Sequence, residues 1–358
     1  MDAGMTLMFS GEDCQILDNK EVDHGADSAA VSRELALAAM AEPLGFSSVW
    51  APEHHFTSYA MSPDPLQFLA YMAAKTTKVR LGTMVLVSPW HNPARLAGSI
   101  SALDNLSSAR VTLGFGRGLS RMEFSGLGVD INDSTELFAR HTTEVLDGLE
   151  NGYLTLGDGT TRAVRPVPVR SFRDRAYAAA MSSGSYQNIA RLGIGLLIIP
   201  QAPWSHIVDN VRQYRSIFED VHGTPAPDPI LACQVFCDND AVRARDLGQQ
   251  YVGEYYESCL KHYELGGSHF SELKGYSHYA ENSAMSSVKS QDEVLDEYCD
   301  LHCIGTPKEC IEKIHAMCES VQCGEVLGMF SYAGLSLEES SKNVRLFAES
   351  VIPVIADF

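Results

Sequence analysis

The stretch Phe46-Ser47-Ser48-Val49-Trp50-Ala51-Pro52-Glu53-His54-His55-Phe56 runs a short apolar segment, Phe46 to Val49, into a turn crowded with two histidines, a carboxylate and two aromatics. The apolar run reads as a buried strand. A helix follows it, because Asp64-Pro65 offers a capping carboxylate and then proline at the first helical position. Leu66, Leu69, Ala70 and Ala73 would form the inner face of that helix. Whether the chain repeats this strand, loop and helix decides the fold.

The unit recurs on both sides. Upstream, Met5 to Phe9 reads as a strand and Ser10 to Asp27 as a loop, with Asp27 or Ser28 capping a helix that carries Val31, Leu35 and Ala38. Downstream, Val79 to Val87, Val111 to Phe115, Tyr177 to Met181, Leu196 to Ile199, Ile230 to Phe236 and Val326 to Phe330 read as strands. Helix starts follow at Asn92-Pro93, at Asp133 with Glu136 as a capping box, and near Ser185, Ser205 and Asp240. Two more lie at Thr306-Pro307-Lys308-Glu309 and at Ser336 with Glu339. Two insertions break the rhythm. A hairpin with a Gly157-Asp158-Gly159 turn falls within 152–169, and a polar, lid-like loop covers 264–298.

Eight strand–helix units imply an α/β protein with parallel strands, closing into a (β/α)8 TIM-type barrel that occupies residues 1–358 as a single domain. An open doubly wound sheet would carry a glycine-rich dinucleotide fingerprint after its first strand, and the sequence has no such turn there.

Composition narrows the class of function. The formal net charge of −19 argues against non-specific binding of nucleic acid or anionic membrane, and an anionic cofactor would need local cationic or backbone donors. The sequence has no apolar run of transmembrane length and does not open like a secretory signal, so a cytoplasmic enzyme is expected. Nine cysteines, an odd number scattered over the chain, read as reduced thiols. Cys233 and Cys237 on one strand would be roughly 13 Å apart, too far to bridge.

In such barrels the chemistry sits in the loops after the strands. That rule selects Glu53, His54 and His55 after the second strand, Gly116-Arg117-Gly118 after the fourth and Ser182-Ser183-Gly184-Ser185 after the fifth. The last two have the makings of an anion site, with small residues, hydroxyls, a helix N-terminus and one arginine. Imidazole suits proton transfer near neutral pH. A metal held by Glu53, His54 and His55 is disfavoured, because adjacent residues on an extended segment point opposite ways.

These residues resemble the bacterial luciferase-like flavin monooxygenases, especially the catalytic subunit of bacterial luciferase. The resemblance rests on Leu44-Gly45-Phe46, Trp50, Glu53-His54-His55-Phe56-Thr57, Leu81-Gly82-Thr83, Asn92-Pro93-Ala94-Arg95, Gly116-Arg117-Gly118 and Gly305-Thr306-Pro307. It is dense from 30 to 150 and thin between 200 and 300. It implies a barrel that takes reduced FMN from a separate flavin reductase and forms a flavin C4a-peroxide with O2, which oxidises an aldehyde, a ketone or another hydrophobic molecule. His54 matches the family's catalytic histidine, and Arg117, Ser182 and Ser185 match phosphate-binding positions. Met84-Val85 matches a non-prolyl cis peptide beneath the flavin. Glu53 and Gly116 are expected at the flavin edge. A second phosphate arginine is Thr135 here, which turns attention to Arg121. The reactive cysteine of luciferase is Gly116, so light emission is not implied.

The expectation is therefore an FMN-dependent, two-component monooxygenase, with Trp50, Phe56, Tyr59, Met61, Trp90 and Phe115 lining the pocket and no resident metal. A homodimer is implied by the resemblance alone. The alternatives are a dehydrogenase using the deazaflavin F420, a non-catalytic flavin-binding relative, and a metallohydrolase.

Overall fold

A computed structural model describes residues 1–11, 24–265, 267–279 and 289–358. Its centre is a closed parallel barrel of β1 (Asp2–Thr6), β2 (Ser48–Ala51), β3 (Arg80–Thr83), β4 (Val111–Gly116), β5 (Ala176–Ala179), β6 (Gly195–Ile198), β7 (Ile230–Cys237) and β8 (Glu325–Met329). Each strand pairs with the next, and β8 pairs with β1 to close the ring. The expected (β/α)8 architecture is thus present. The third apolar segment is split: Leu86–Val87 rejoins the sheet against β4 after a cis bond between Met84 and Val85. The hairpin forms as an antiparallel pair, Tyr153–Thr155 with Thr161–Ala163. Cys303–Gly305 adds a parallel strand beside the end of β7 that the sequence reading missed.

Alternation along the strands divides the core in two. On β2, Val49 and Ala51 face the surrounding helices while Ser48 and Trp50 face the barrel interior. Trp50 lies opposite Gly82 in register, and a Cβ on Gly82 would come within 2.0 Å of the indole. The absent side chain gives the indole its space. Its Nε1 donates to Ser48 Oγ at 2.7 Å, and Ser48 in turn donates to Glu325 on β8. Arg80 pairs with that carboxylate at 2.7 Å. The floor of the barrel is thus stitched by polar groups at the N-terminal ends of β3 and β8.

The local helix signals mostly act as read. Asp64, Asn92, Asp240, Thr306 and Ser336 each accept a backbone N–H at their helix start, and Thr306 and Glu309 close a reciprocal capping box. Four readings need correction. The first helix begins at His24, so Asp27 sits inside its first turn rather than at the cap. Asp133 makes no capping bond, because Ile131–Asp133 is already a 3-10 turn capped by Asp130 and the helix Ser134–Asn151 continues directly from it. The segment 264–298 is not loop throughout: Ser290 and Glu293 cap a helix, Gln291–Asp300, while 280–288 lies outside the described residues. The thiols are not all reduced, since Cys318 and Cys323 form a disulfide where Gln322 turns left-handed and brings their Cα atoms to 5.0 Å. Residues 12–23 of the expected first loop also lie outside the described residues.

The Trp50–Gly82 contact sets a stability test. Gly82→Ala forces a methyl into the indole, and unfolding free energy should fall by about 1–3 kcal/mol in urea titration. Unchanged stability would mean that the indole has room to move.

Candidate active site

The loops at the C-terminal ends of β2, β3 and β4 are tied together by two buried carboxylates. Glu53 accepts from the Val87 backbone N–H at 2.8 Å and meets His91 Nε2 at 2.7 Å and His55 Nε2 at 3.4 Å. Burial alone would raise its pKa, but the imidazoles and the amide hold it below the usual carboxylate range. The same contact raises His91 against the effect of burial.

His54 points away from His55, as alternation requires, and finds the other carboxylate. Its Nδ1 lies 3.1 Å from Glu123 Oε1, which also accepts the His55 N–H at 2.7 Å. The second Glu123 oxygen faces His262 Nε2 at 3.5 Å. Burial would push the Glu123 carboxyl up; His54 and His262 overcome this and hold it at about 2. The far side of His54, Nε2, lies 3.3 Å from the Tyr263 hydroxyl. Among the described residues, His54, Glu123 and His262 form the one cluster of metal-type donors, with ligand atoms within 4.8 Å of one another.

Sequence reading missed Glu123 and His262. Glu123 stands in the short helix Arg121–Gly126 of the β4 loop, within the zone that the barrel rule selects. His262 ends the 22-residue helix Ala241–His262 that follows β7 and reaches back over the mouth. No local pattern marks it.

The anion-type residues lie along the mouth from His54. Ser182 caps the helix Ser183–Leu192, and its hydroxyl is 2.9 Å from that of Ser185. Arg117 donates through one terminal nitrogen to Thr135 Oγ1 at 3.1 Å and to the Gly275 carbonyl at 3.0 Å, and its guanidinium lies 4.0 Å above the Tyr276 ring. Tyr276 donates to the Gly118 carbonyl, and the Tyr279 hydroxyl reaches Met181 Sδ beside Ser182. The segment 267–279 thereby spans the Arg117 and Ser182 loops. Thr135, standing where a second arginine was expected, is an acceptor for Arg117. Arg121 is paired with Glu264 at 2.7 Å, so it is not a free substitute. Gly116 packs against Val85, whose Cγ2 a Cβ there would meet at 2.3 Å, and Met84–Val85 is the cis bond that the resemblance implied.

The expected pocket aromatics scatter. Tyr59 stacks on His262 with ring centres 4.6 Å apart, and its hydroxyl meets Tyr255 at 2.6 Å. Trp90 packs edge-on against His55. Trp50 fills the barrel interior, whereas Phe115 and Met61 pack into the core outside the barrel. Phe56 is 54% exposed at φ +68°, with its ring against Gly126. A bulky residue rarely adopts this backbone region.

The family model described as Luciferase-like monooxygenase matches residues 15–321. The alkanal monooxygenase alpha chain of Photorhabdus luminescens is 23% identical over 344 residues, covering 93% of this chain and 94% of its own. Two solved structures share the fold at low identity. One is the oxygenating constituent of 3,6-diketocamphane monooxygenase of Pseudomonas putida, a type II Baeyer–Villiger monooxygenase in complex with FMN. It has a TM-score of 0.71 at 15% identity and covers 99% of this chain and 98% of that one. The other is an F420-dependent secondary alcohol dehydrogenase with an F420–acetone adduct, which has a TM-score of 0.69 at 16% identity and covers 99% and 98%.

The buried Glu123 carboxylate makes stability depend on acid. Its folded pKa lies below the unfolded value of 4.5, so its contribution is complete above pH 4.5 and is lost as pH falls toward 2. The loss should be on the order of 3 kcal/mol in urea unfolding at stepped pH. Glu123→Gln should be less stable at pH 7, and its deficit should shrink across that acid window. A constant deficit would show that folding does not lower the Glu123 pKa.

Proposed function

The chain belongs to the luciferase-like monooxygenase family, and from that premise we propose that it is the oxygenase of a two-component system. In this reading it takes reduced FMN from a separate reductase and uses O2 to oxidise an apolar aldehyde, ketone or similar small molecule. The observation that carries the reading is one barrel mouth holding both a carboxylate-anchored imidazole and a phosphate-type donor set. An arginine, two serine hydroxyls and a helix N-terminus match a phosphate monoester in charge and hydrogen bonding. These residues therefore fit the flavin that the family implies.

Arg117, Ser182 and Ser185 would hold the phosphate, with Met84, Val85, Gly116 and Glu53 at the ring. A bound reduced flavin supplies two electrons for activating O2. The chain's own residues handle protons and water. His54, anchored through Nδ1 by Glu123, presents Nε2 as the group that accepts and returns a proton beside Tyr263. The segment 267–279, with Phe270 and Tyr276 buried against Phe124 and Ile131, closes the mouth against solvent. Tyr59 and Trp90 would border the substrate, and a homodimer is the assembly proposed.

Use of F420 on the same barrel is the second reading, and the likeness to the F420-dependent dehydrogenase favours it. A polyanionic tail needs several cations, whereas here Arg121 is already paired with Glu264 and the chain carries a charge of −19. Fluorescence titration separates the two. FMN should bind, and Arg117→Ala should weaken it about tenfold or more while leaving riboflavin binding unchanged. Oxygen consumption with photoreduced FMN and a long-chain aldehyde should fall about 100-fold or more in His54→Ala. Binding of F420 without FMN would replace the proposal with the second reading.

A further inference from the structure

The proposed chemistry uses His54 and leaves His262 without a task, although its imidazole is fully buried in the same cluster. Two buried polar atoms, Glu123 Oε2 and His262 Nε2, lack a close hydrogen-bond partner among the described residues and face each other at 3.5 Å. A buried carboxylate oxygen calls for a donor, and His262 Nε2 is the nitrogen that faces it. The opposite edge of the ring is compatible with that placement. His262 Nδ1 lies 2.8 Å from Thr57 Oγ1, and that oxygen accepts the Tyr59 backbone N–H at 3.4 Å. A carboxylate can only accept, so the ring hydrogen of His262 lies on Nε2, aimed at Glu123, and the Thr57 hydroxyl then donates to Nδ1. The same rule at His54 puts its hydrogen on Nδ1, against Glu123 Oε1, and leaves Nε2 unprotonated as the acceptor of the Tyr263 hydroxyl.

We propose that His262 is a positioning residue that acts on His54 through Glu123. The proton order Thr57–His262–Glu123–His54 fixes His54 as the Nδ1–H tautomer, with Nε2 unprotonated beside the Tyr263 hydroxyl and able to take a proton. Glu123 remains an anion throughout. It receives two ring N–H groups and the His55 amide, so its charge is shared between the two imidazoles rather than spent wholly on His54. Removing the His262 N–H concentrates that charge on His54 and favours its imidazolium. The other groups packed on His262 add no charge. Burial holds the Tyr59 and Tyr263 phenols neutral, and it disfavours a cation on His262 itself.

The inference deepens the proposed function and rests on it for its catalytic meaning, but its test needs no flavin. Histidine-selective 15N labelling of the intact protein reports both tautomers by NMR. In the wild type, His262 should carry its proton on Nε2 and His54 on Nδ1. In His262→Phe, the pH at which the His54 signals titrate should rise by about one unit. It should return to within a few tenths in His262→Gln, whose amide can again donate to Glu123. The acid limb of oxygen consumption should move with it. A proton on Nδ1 of His262 in the wild type, or a His54 titration indifferent to both substitutions, would overturn the assignment. So would stoichiometric retention of Zn2+ by the wild-type protein, since a metal would then occupy the place of the proton. The wild-type tautomer measurement stands even if His262→Phe does not fold. Absent FMN affinity would remove the proposed function and leave the tautomers as found.

Discussion

A carboxylate cut off from water must be met by donors, and Glu123 draws them from three separated parts of the chain. His54 and the His55 amide come from the loop after β2, Glu123 itself from the loop after β4, and His262 from the end of the helix after β7. An unpaired charge at this depth would be far more costly than the sum of these contacts is stabilising. The cluster therefore fixes where the β2 loop, the β4 loop and the returning helix meet. Glu53 performs the same service one residue before His54, tying the β2 loop to Val87 and His91 in the stretch after β3. His54 consequently stands on a segment clamped from both sides.

The opposite end of the barrel uses a similar device for a different purpose. Glu325, Ser48, Arg80 and the Trp50 indole form a polar stitch across the floor. Their partners lie on β2, β3 and β8, so the bonds reach across β1 and hold the ring together rather than present a reactive atom. The mouth differs because its carboxylates sit on loops, where a bare ring nitrogen can face a ligand.

The parts of this arrangement legible in the sequence are those encoded locally. Asp64, Asn92, Thr306 and Ser336 cap helices because a short side chain reaches its own backbone, whatever the rest of the chain does. The barrel followed from eight repeats of one local pattern, and His54 from its place at a strand end. Asp133 failed as a cap because the preceding turn, set by Asp130, had already begun the helix. Trp50 and Phe115 are alike as aromatics on strands that lead to the mouth. Strand alternation sends one into the barrel and the other out to the helices, and a list of aromatics does not carry that distinction. Glu123 and His262 were invisible for a stronger reason. Their significance lies in a meeting across the fold, and neither has a neighbour in sequence that announces it.

Arg117 shows how such meetings alter the weight of a single residue. Taken alone, one arginine with Thr135 in place of a second makes a weak anion site on an acidic protein. In the fold, Thr135 and the Gly275 carbonyl both tether the same terminal nitrogen, and Tyr276 supports the guanidinium plane from one face. A guanidinium has five donors in a rigid fork, and these bonds engage one arm of it. In the proposed site, Thr135 and the segment 267–279 together remove side-chain entropy that binding a phosphate would otherwise cost. In the proposed anion site such pre-organisation would compensate in part for the missing charge, and Arg117 is tied to the segment 267–279. Tyr279, touching Met181 beside Ser182, carries the same segment to the other half of the donor set. The segment 267–279 thus touches both halves of the proposed donor set, at Arg117 directly and beside Ser182 through Met181.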